Sequence, residues 1–226
     1  MSLLFGAQRS VVFDGVARSV ALGSTLVHDA TGSGGASSGA NTVGAAAAAA
    51  VTDGSSVYVY DQTGTLLHTL TPGSMIQAIA ADDTHLYVAV DTTVRAYTLD
   101  GNWTEAWASA SMPRVAKTMR RHALGVLVVH DWRNSSPAAT VLAAGDGSVV
   151  QSVAAAHVDL WVNDGALSTD GSVYAYAGLD VESKVRVVDA TDGATIYENL
   201  AANLEGVAFM PNGDALFAGR DGFERV

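Results

Sequence analysis

The chain has 226 residues, 49% of them hydrophobic, and 23 acids against 12 bases give a formal net charge of −11. That balance excludes a disordered polymer and leaves enough apolar residues for a sizeable core. The longest apolar run, Ala45–Val51, falls far short of the roughly 20 residues of a membrane span, and the absence of cysteine excludes disulfides and Cys-based zinc sites.

The chain opens with an isolated strand pattern, Ser2–Phe5, which lacks the basic segment of a secretory signal. A turn pattern at Asp29-Ala30-Thr31-Gly32 leads into a Gly/Ser/Ala-rich stretch at about 32–44, expected to be a loop. Short strand patterns then follow one another, each ending at Asp, Asn, Thr or Gly. Ser56–Tyr60 ends at Asp61-Gln62-Thr63-Gly64. One copy of four strands reads Met75–Asp83, His85–Val90, Val94–Leu99 and Thr104–Ser109. Arg114–Arg121 is the one stretch spaced like a helical turn. Leu124–Val129 is a near-continuous apolar run, as a strand buried on both faces should be. A second copy reads Val158–Asp164, Ser172–Gly178, Lys184–Asp189 and Thr195–Leu200. The last copy, Gly206–Met210, Ala215–Gly219 and Phe223–Val226, has three strands.

The turn glycines Gly32, Gly64, Gly101, Gly147 and Gly193 recur at roughly 32 to 46 residues, close to the length of a four-stranded propeller blade. The expected fold is therefore all-β: a single β-propeller over residues 1–226 with six four-stranded blades. The count is five if Asp29–Gly32 is an insertion. Pairing Ser2–Phe5 beside Phe223–Val226 would complete the last blade and close the ring.

Ser172–Tyr176 and Val185–Tyr197 resemble the repeat of the quinoprotein-like propellers, a PQQ/WD40-like family, in which a strand ends at Asp-x-x-Thr-Gly before an outer strand. Ser56–Leu70 is similar, so the resemblance spans about 45–226. The usual closing Trp is only approximated, by Trp107. The resemblance implies a propeller fold and a habit of protein binding, and it carries over no quinone cofactor. The acids are 18 Asp and 5 Glu, while the bases are 10 Arg and 2 Lys. This composition resembles proteins of haloarchaea and their viruses; acidic turns in a GC-rich coding sequence are the alternative source.

Residues able to do chemistry are scattered. The densest group is His130-Asp131-Trp132-Arg133, read as a polar loop after a buried strand; it is the candidate binding site, because Trp and Arg anchor interfaces. His157-Val158-Asp159 has the same character. No pair of His residues has metal-ligand spacing, and Gly-x-Ser-x-Gly is absent. The acidic turns Asp82-Asp83-Thr84 and Asp189–Gly193 are explained as side-chain-capped turns, without calcium. Asn102 and Asn134 begin N-x-Ser/Thr sequons.

These readings imply no catalytic residues, no metal and no cofactor. The expected role is a structural or interaction module: a component of a haloarchaeal virus particle such as a capsid, tail or host-attachment protein. Its partners would be other proteins of a larger assembly and the host cell surface. Nucleic acid is excluded, since the one basic cluster, Arg114–Arg121, lacks interleaved aromatics. A cytoplasmic scaffold propeller and a propeller-fold hydrolase, lactonase or glycosidase, are the alternatives.

Overall fold

The protein is described from a computed structural model, for residues 8–13, 16–21, 49–61, 65–113, 115–131, 137–154, 161–179, 184–200, 204–219 and 222–226. Every regular element among them is a strand. The backbone forms two compact units, Met1–Ser109 and Ala110–Val226. Ser2–Phe5, the stretch at about 32–44, Trp132, Arg133, Asn134, His157 and Asp159 lie outside the described residues.

Among the described residues the first unit holds three antiparallel sheets. Strands β1 (Gln8–Phe13) and β2 (Val16–Ala21) form a hairpin. A three-stranded sheet follows, with β3 (Ala49–Thr52), β4 (Val57–Tyr60) and β5 (Leu66–Leu70). The next has four strands in sequence order: β6 (Ile76–Ala81), β7 (His85–Val90), β8 (Thr93–Thr98) and β9 (Glu105–Ala108). Burial falls off across the sheets. All of β6 is buried, whereas β5 and β9 expose most of their residues. Val57, Val59, Ile76, Ile79, Leu86 and Val88 share one core.

A repeated turn pins the hairpins of this unit. Asp53 Oδ1 accepts the amides of Ser55 and Ser56, both at 2.8 Å, while Asp82 Oδ1 accepts those of Thr84 and His85, both at 2.9 Å. Five residues on, Tyr58 and Tyr87 donate their hydroxyls to the same two carboxylates. These are Asx turns, in which a short side chain substitutes for a backbone acceptor. The Asp82-Asp83-Thr84 turn thus spends its carboxylate on local amides, and Asp189 does likewise with the Thr191 amide at 2.7 Å.

Among the described residues the second unit stacks three sheets face to face. They are β10 (Ala116–His122), β11 (Val126–Asp131), β12 (Ala139–Ala143), β13 (Val149–Val153); β14 (Trp161–Leu167), β15 (Val173–Leu179), β16 (Lys184–Asp189), β17 (Thr195–Leu200); and β18 (Leu204–Phe209), β19 (Ala215–Gly219), β20 (Gly222–Arg225). The middle sheet is covered on both sides. One face, with Leu167, Tyr174 and Val188, meets Val128, Val141 and Val153 of the first sheet. The other, with Ala166, Ala175 and Val187, meets Val207 and Phe217 of the third. Strand alternation produces this division, because consecutive side chains point to opposite faces.

Two β-bulges recur from sheet to sheet. Near the start of the first strand the register slips at Ile76/Ala78, Ala116/Thr118, Val162/Asp164 and Leu204/Gly206, leaving Gln77, Lys117, Asn163 and Glu205 as the extra residues. These lie about 40 to 46 residues apart, one blade length. Between the last two strands the register slips opposite Val59/Tyr60, Ala96/Tyr97, Val141/Leu142 and Val187/Val188. The extra residues there are Leu67, Ala106, Val150 and Ile196.

Two elements differ from the sequence reading. The stretch expected to be a helical turn is instead a strand: Ala116–His122 is the first of its sheet, paired with β11 on both sides of the bulge at Lys117. The strand expected at Leu124–Val129 runs instead from Val126 to Asp131, with Leu124 and Gly125 in the preceding turn, where Gly125 has a φ of 82°.

Candidate functional site

Of the four residues read as a binding loop, the structure places His130 inside the protein. It is the fifth residue of β11, fully buried, and its side chain faces the sheet β14–β17. Asp131 ends the same strand opposite Ala116. A polar residue beside Asp-Trp-Arg looks like a loop in one dimension; here it is drawn into the interior by a partner 44 residues away.

That partner is Tyr174, whose hydroxyl hydrogen-bonds His130 Nδ1 while the two rings stack with centroids 5.5 Å apart. Gly165 makes the approach possible. A Cβ at that position would collide with the Tyr174 hydroxyl and lie 2.6 Å from the His130 ring. Burial pushes the His130 pKa from 6.5 down to about 3, helped by the positive charge of Arg120 and opposed by the Gly165 backbone. The ring is therefore neutral across the physiological range and poorly suited to proton transfer there.

Arg120 sits on β10 two residues beyond Thr118, the cross-strand neighbour of His130. Its Nη2 donates to Asp164 Oδ2 at 2.5 Å, and its Nη1 donates to the Val207 carbonyl at 2.9 Å. Asp164 Oδ2 also accepts the Val207 amide at 3.0 Å. One ion pair thus ties together the first strands of three sheets. A second polar row crosses the middle sheet, where Tyr176, Arg186 and Glu198 stand in register. The Arg186 side chain is fully buried; its Nε donates to Glu198 Oε2 at 2.6 Å and its Nη1 to the Tyr176 hydroxyl at 3.4 Å. Burial raises the Tyr176 pKa, and Arg186 works against that rise. A buried guanidinium needs such partners, since an unpaired one is strongly destabilising.

No local pattern in the sequence marks Arg120, Asp164, Tyr174 or Arg186 as members of networks. Their partners come from other strands, and only the stacking of sheets brings them together. Among the described residues no three His, Asp or Glu side chains converge as a cation site, and no helix is long and apolar enough to cross a membrane.

No known family profile matches the sequence, and no curated protein matches it. Solved structures do. The Cps50 (Swd1) β-propeller domain of Myceliophteria thermophila matches over 76% of this chain and 59% of its own, at 12% identity and a TM-score of 0.56. The sheets are those of a β-propeller. A chain of the mitotic checkpoint complex matches over 75% of this chain and 53% of its own, with 17% identity and a TM-score of 0.59. The hydrazine synthase of Kuenenia stuttgartiensis matches over 73% and 50%, with 17% identity and the same TM-score. This propeller chain thus spans 50% to 59% of the length of those structures. At such identities the likeness is one of fold.

Proposed function

We propose that the chain is a non-catalytic β-propeller that serves as an interaction or structural module within a larger assembly of proteins. The observation that carries this reading is where the reactive side chains are used. His130, Tyr174, Arg120 and Asp164 bond one another or the backbone between packed sheets, and Arg186 is held by Glu198 across two strands of the middle sheet. A substrate site instead aims a few such groups into open space. Outward, the last strands expose Leu67, Val150 and Ile196, and Phe223 on β20 is 78% exposed. Exposed apolar residues recurring at one place in a repeat favour contact with other proteins. The mitotic checkpoint complex offers a precedent for such a fold inside an assembly.

In the finer form of the proposal, residues 1–226 make one ring of six four-stranded blades, closed by Ser2–Phe5 beside Phe223–Val226. The particle is a haloarchaeal virion, in keeping with the Asp-rich, Lys-poor composition. Its contact surface includes Asp131 at the end of β11 and the Trp132 and Arg133 that follow it, because loops on a rigid scaffold carry recognition. A cellular scaffold of the quinoprotein-like type is the second reading.

The test replaces Trp132 and Arg133 together by Ala and measures incorporation into the parent assembly. A folded double variant that fails to incorporate supports the surface, and normal incorporation refutes it. Hydrolysis of a lactone or glycan by the wild type, abolished by a single Asp or His substitution, would overturn the non-catalytic reading. The halophilic origin has its own check, a melting temperature that rises from low salt to molar KCl as self-repulsion is screened.

A further inference from the structure

Thr118 and His130 break the pattern of the repeat. The residues that face one another just past the first-strand bulge are Ala78 and Ala89 in the sheet β6–β9, Asp164 and Ala177 in β14–β17, and Gly206 and Ala218 in β18–β20. In β10–β13 the same two positions hold Thr118 and His130. Two small residues satisfy this place in β6–β9 and β18–β20, so the fold itself does not call for a polar pair there. Yet Thr118 Oγ1 and His130 Nε2 are both buried, and neither has a hydrogen-bond partner among the described residues. The other ring nitrogen of His130 is already engaged by Tyr174. Native interiors rarely leave such atoms unmet, because each then keeps its full desolvation penalty.

The strand register brings the two side chains to one face. Directly opposed residues on antiparallel strands share a face, with Cβ atoms about 4.5–5.5 Å apart. The extra residue Lys117 immediately precedes Thr118, and a bulge re-aims the side chain beside it. A water bonding each atom at about 2.8 Å bridges polar groups that stand too far apart to bond directly.

We propose that an internal water molecule is bound between Thr118 Oγ1 and His130 Nε2 as a fixed part of the native fold. Water suits both partners, since it donates and accepts. A neutral imidazole offers either an N–H or a lone pair at Nε2, and a threonine hydroxyl offers both. A cation is the wrong ligand, because a threonine hydroxyl and one nitrogen of a neutral imidazole bring no negative charge to balance it. The positive charge of Arg120 is itself met by Asp164, so an anion has no free counter-charge to balance it.

A high-resolution crystal structure of the full chain tests this directly. A water peak within hydrogen-bond distance of both atoms supports the site. Empty density there, or a direct hydrogen bond between Thr118 and His130, overturns it. In solution, oxygen-17 relaxation dispersion counts long-lived internal waters. Thr118→Val should lose one of them relative to the wild type, and an unchanged count overturns the proposal. If that variant does not fold, the same count is read in Thr118→Ala/His130→Ala, which restores the Ala78/Ala89 chemistry of the preceding sheet.

Discussion

Arg120 and Asp164 sit on the first strands of neighbouring sheets, and the 2.5 Å bond between Nη2 and Oδ2 is made by the same oxygen that accepts the Val207 amide of a third sheet. Asp164→Ala therefore strips a guanidinium and a backbone N–H of their acceptor at once. Removing one partner of a fully buried pair costs about 3–5 kcal/mol. The Arg120 side chain is 35% exposed, so water recovers part of that, and a loss of about 2 kcal/mol is expected. Urea unfolding should show a lower midpoint with an unchanged slope. An unaltered midpoint would remove the network from the account of stability.

Gly165→Ala tests the close approach at His130. The new methyl group has to displace the Tyr174 hydroxyl and the His130 ring, both buried. Overpacking of this kind costs about 1–3 kcal/mol. Tyr174→Phe removes the atom in the way, so the two substitutions should be less damaging together than their sum. Strict additivity in the double-mutant cycle would mean that the hydroxyl is not the obstacle.

His130 gives stability a pH dependence whose sign follows from its lowered pKa. The folded protein holds this ring neutral down to about pH 3, whereas the unfolded chain takes up its proton near 6.5. Stability is intact above the unfolded value and is lost as pH falls toward the folded one. His122 is shifted the same way by burial. The turn aspartates act lower: the Ser168 and Ser172 hydroxyls and the Ser172 amide hold Asp170 down to about 2, so its contribution is lost only as pH drops below 3.8. Between about pH 7 and pH 5 the histidines dominate, and His130→Gln should flatten the fall in melting temperature across that window. A variant as pH-sensitive as the wild type would contradict the assignment.

The sheet β18–β20 has three strands among the described residues, ending on β20. If Ser2–Phe5 supplies the fourth, deleting residues 1–8 leaves an unpaired edge and should lower the melting temperature sharply. A deletion variant that melts with the wild type would count against a ring closed in this way.

Much of the strand layout is local and was legible. Lys184–Asp189 and Thr195–Leu200 occur as the turn spacing predicts. Gly101, Gly147 and Gly193 adopt φ values of 91°, 72° and 76°, a conformation that glycine reaches without strain, so the turn writes itself into the sequence. The site was not legible, because Arg120 reads as part of a surface basic cluster until the stacking of sheets presents Asp164. His130 reads as a loop residue until Gly165 makes room for it against Tyr174. The aspartate excess is also partly local. Asp53, Asp82, Asp100, Asp146, Asp170 and Asp189 each accept a backbone amide in a turn, a structural use that any salt adaptation shares with them.

The slip of register beside the last strands bears on how copies of this protein meet. A sheet edge is a template for another strand, and a repeat protein offers that template many times over. In β5, β9, β13 and β17 one residue out of step, Leu67, Ala106, Val150 or Ile196, interrupts the row of amides and carbonyls that an incoming strand would need to match. Zipper growth from molecule to molecule is thereby obstructed at each of these edges. A partner is left to recognise the apolar side chains themselves, so crowding the protein should raise reversible contacts without seeding fibres.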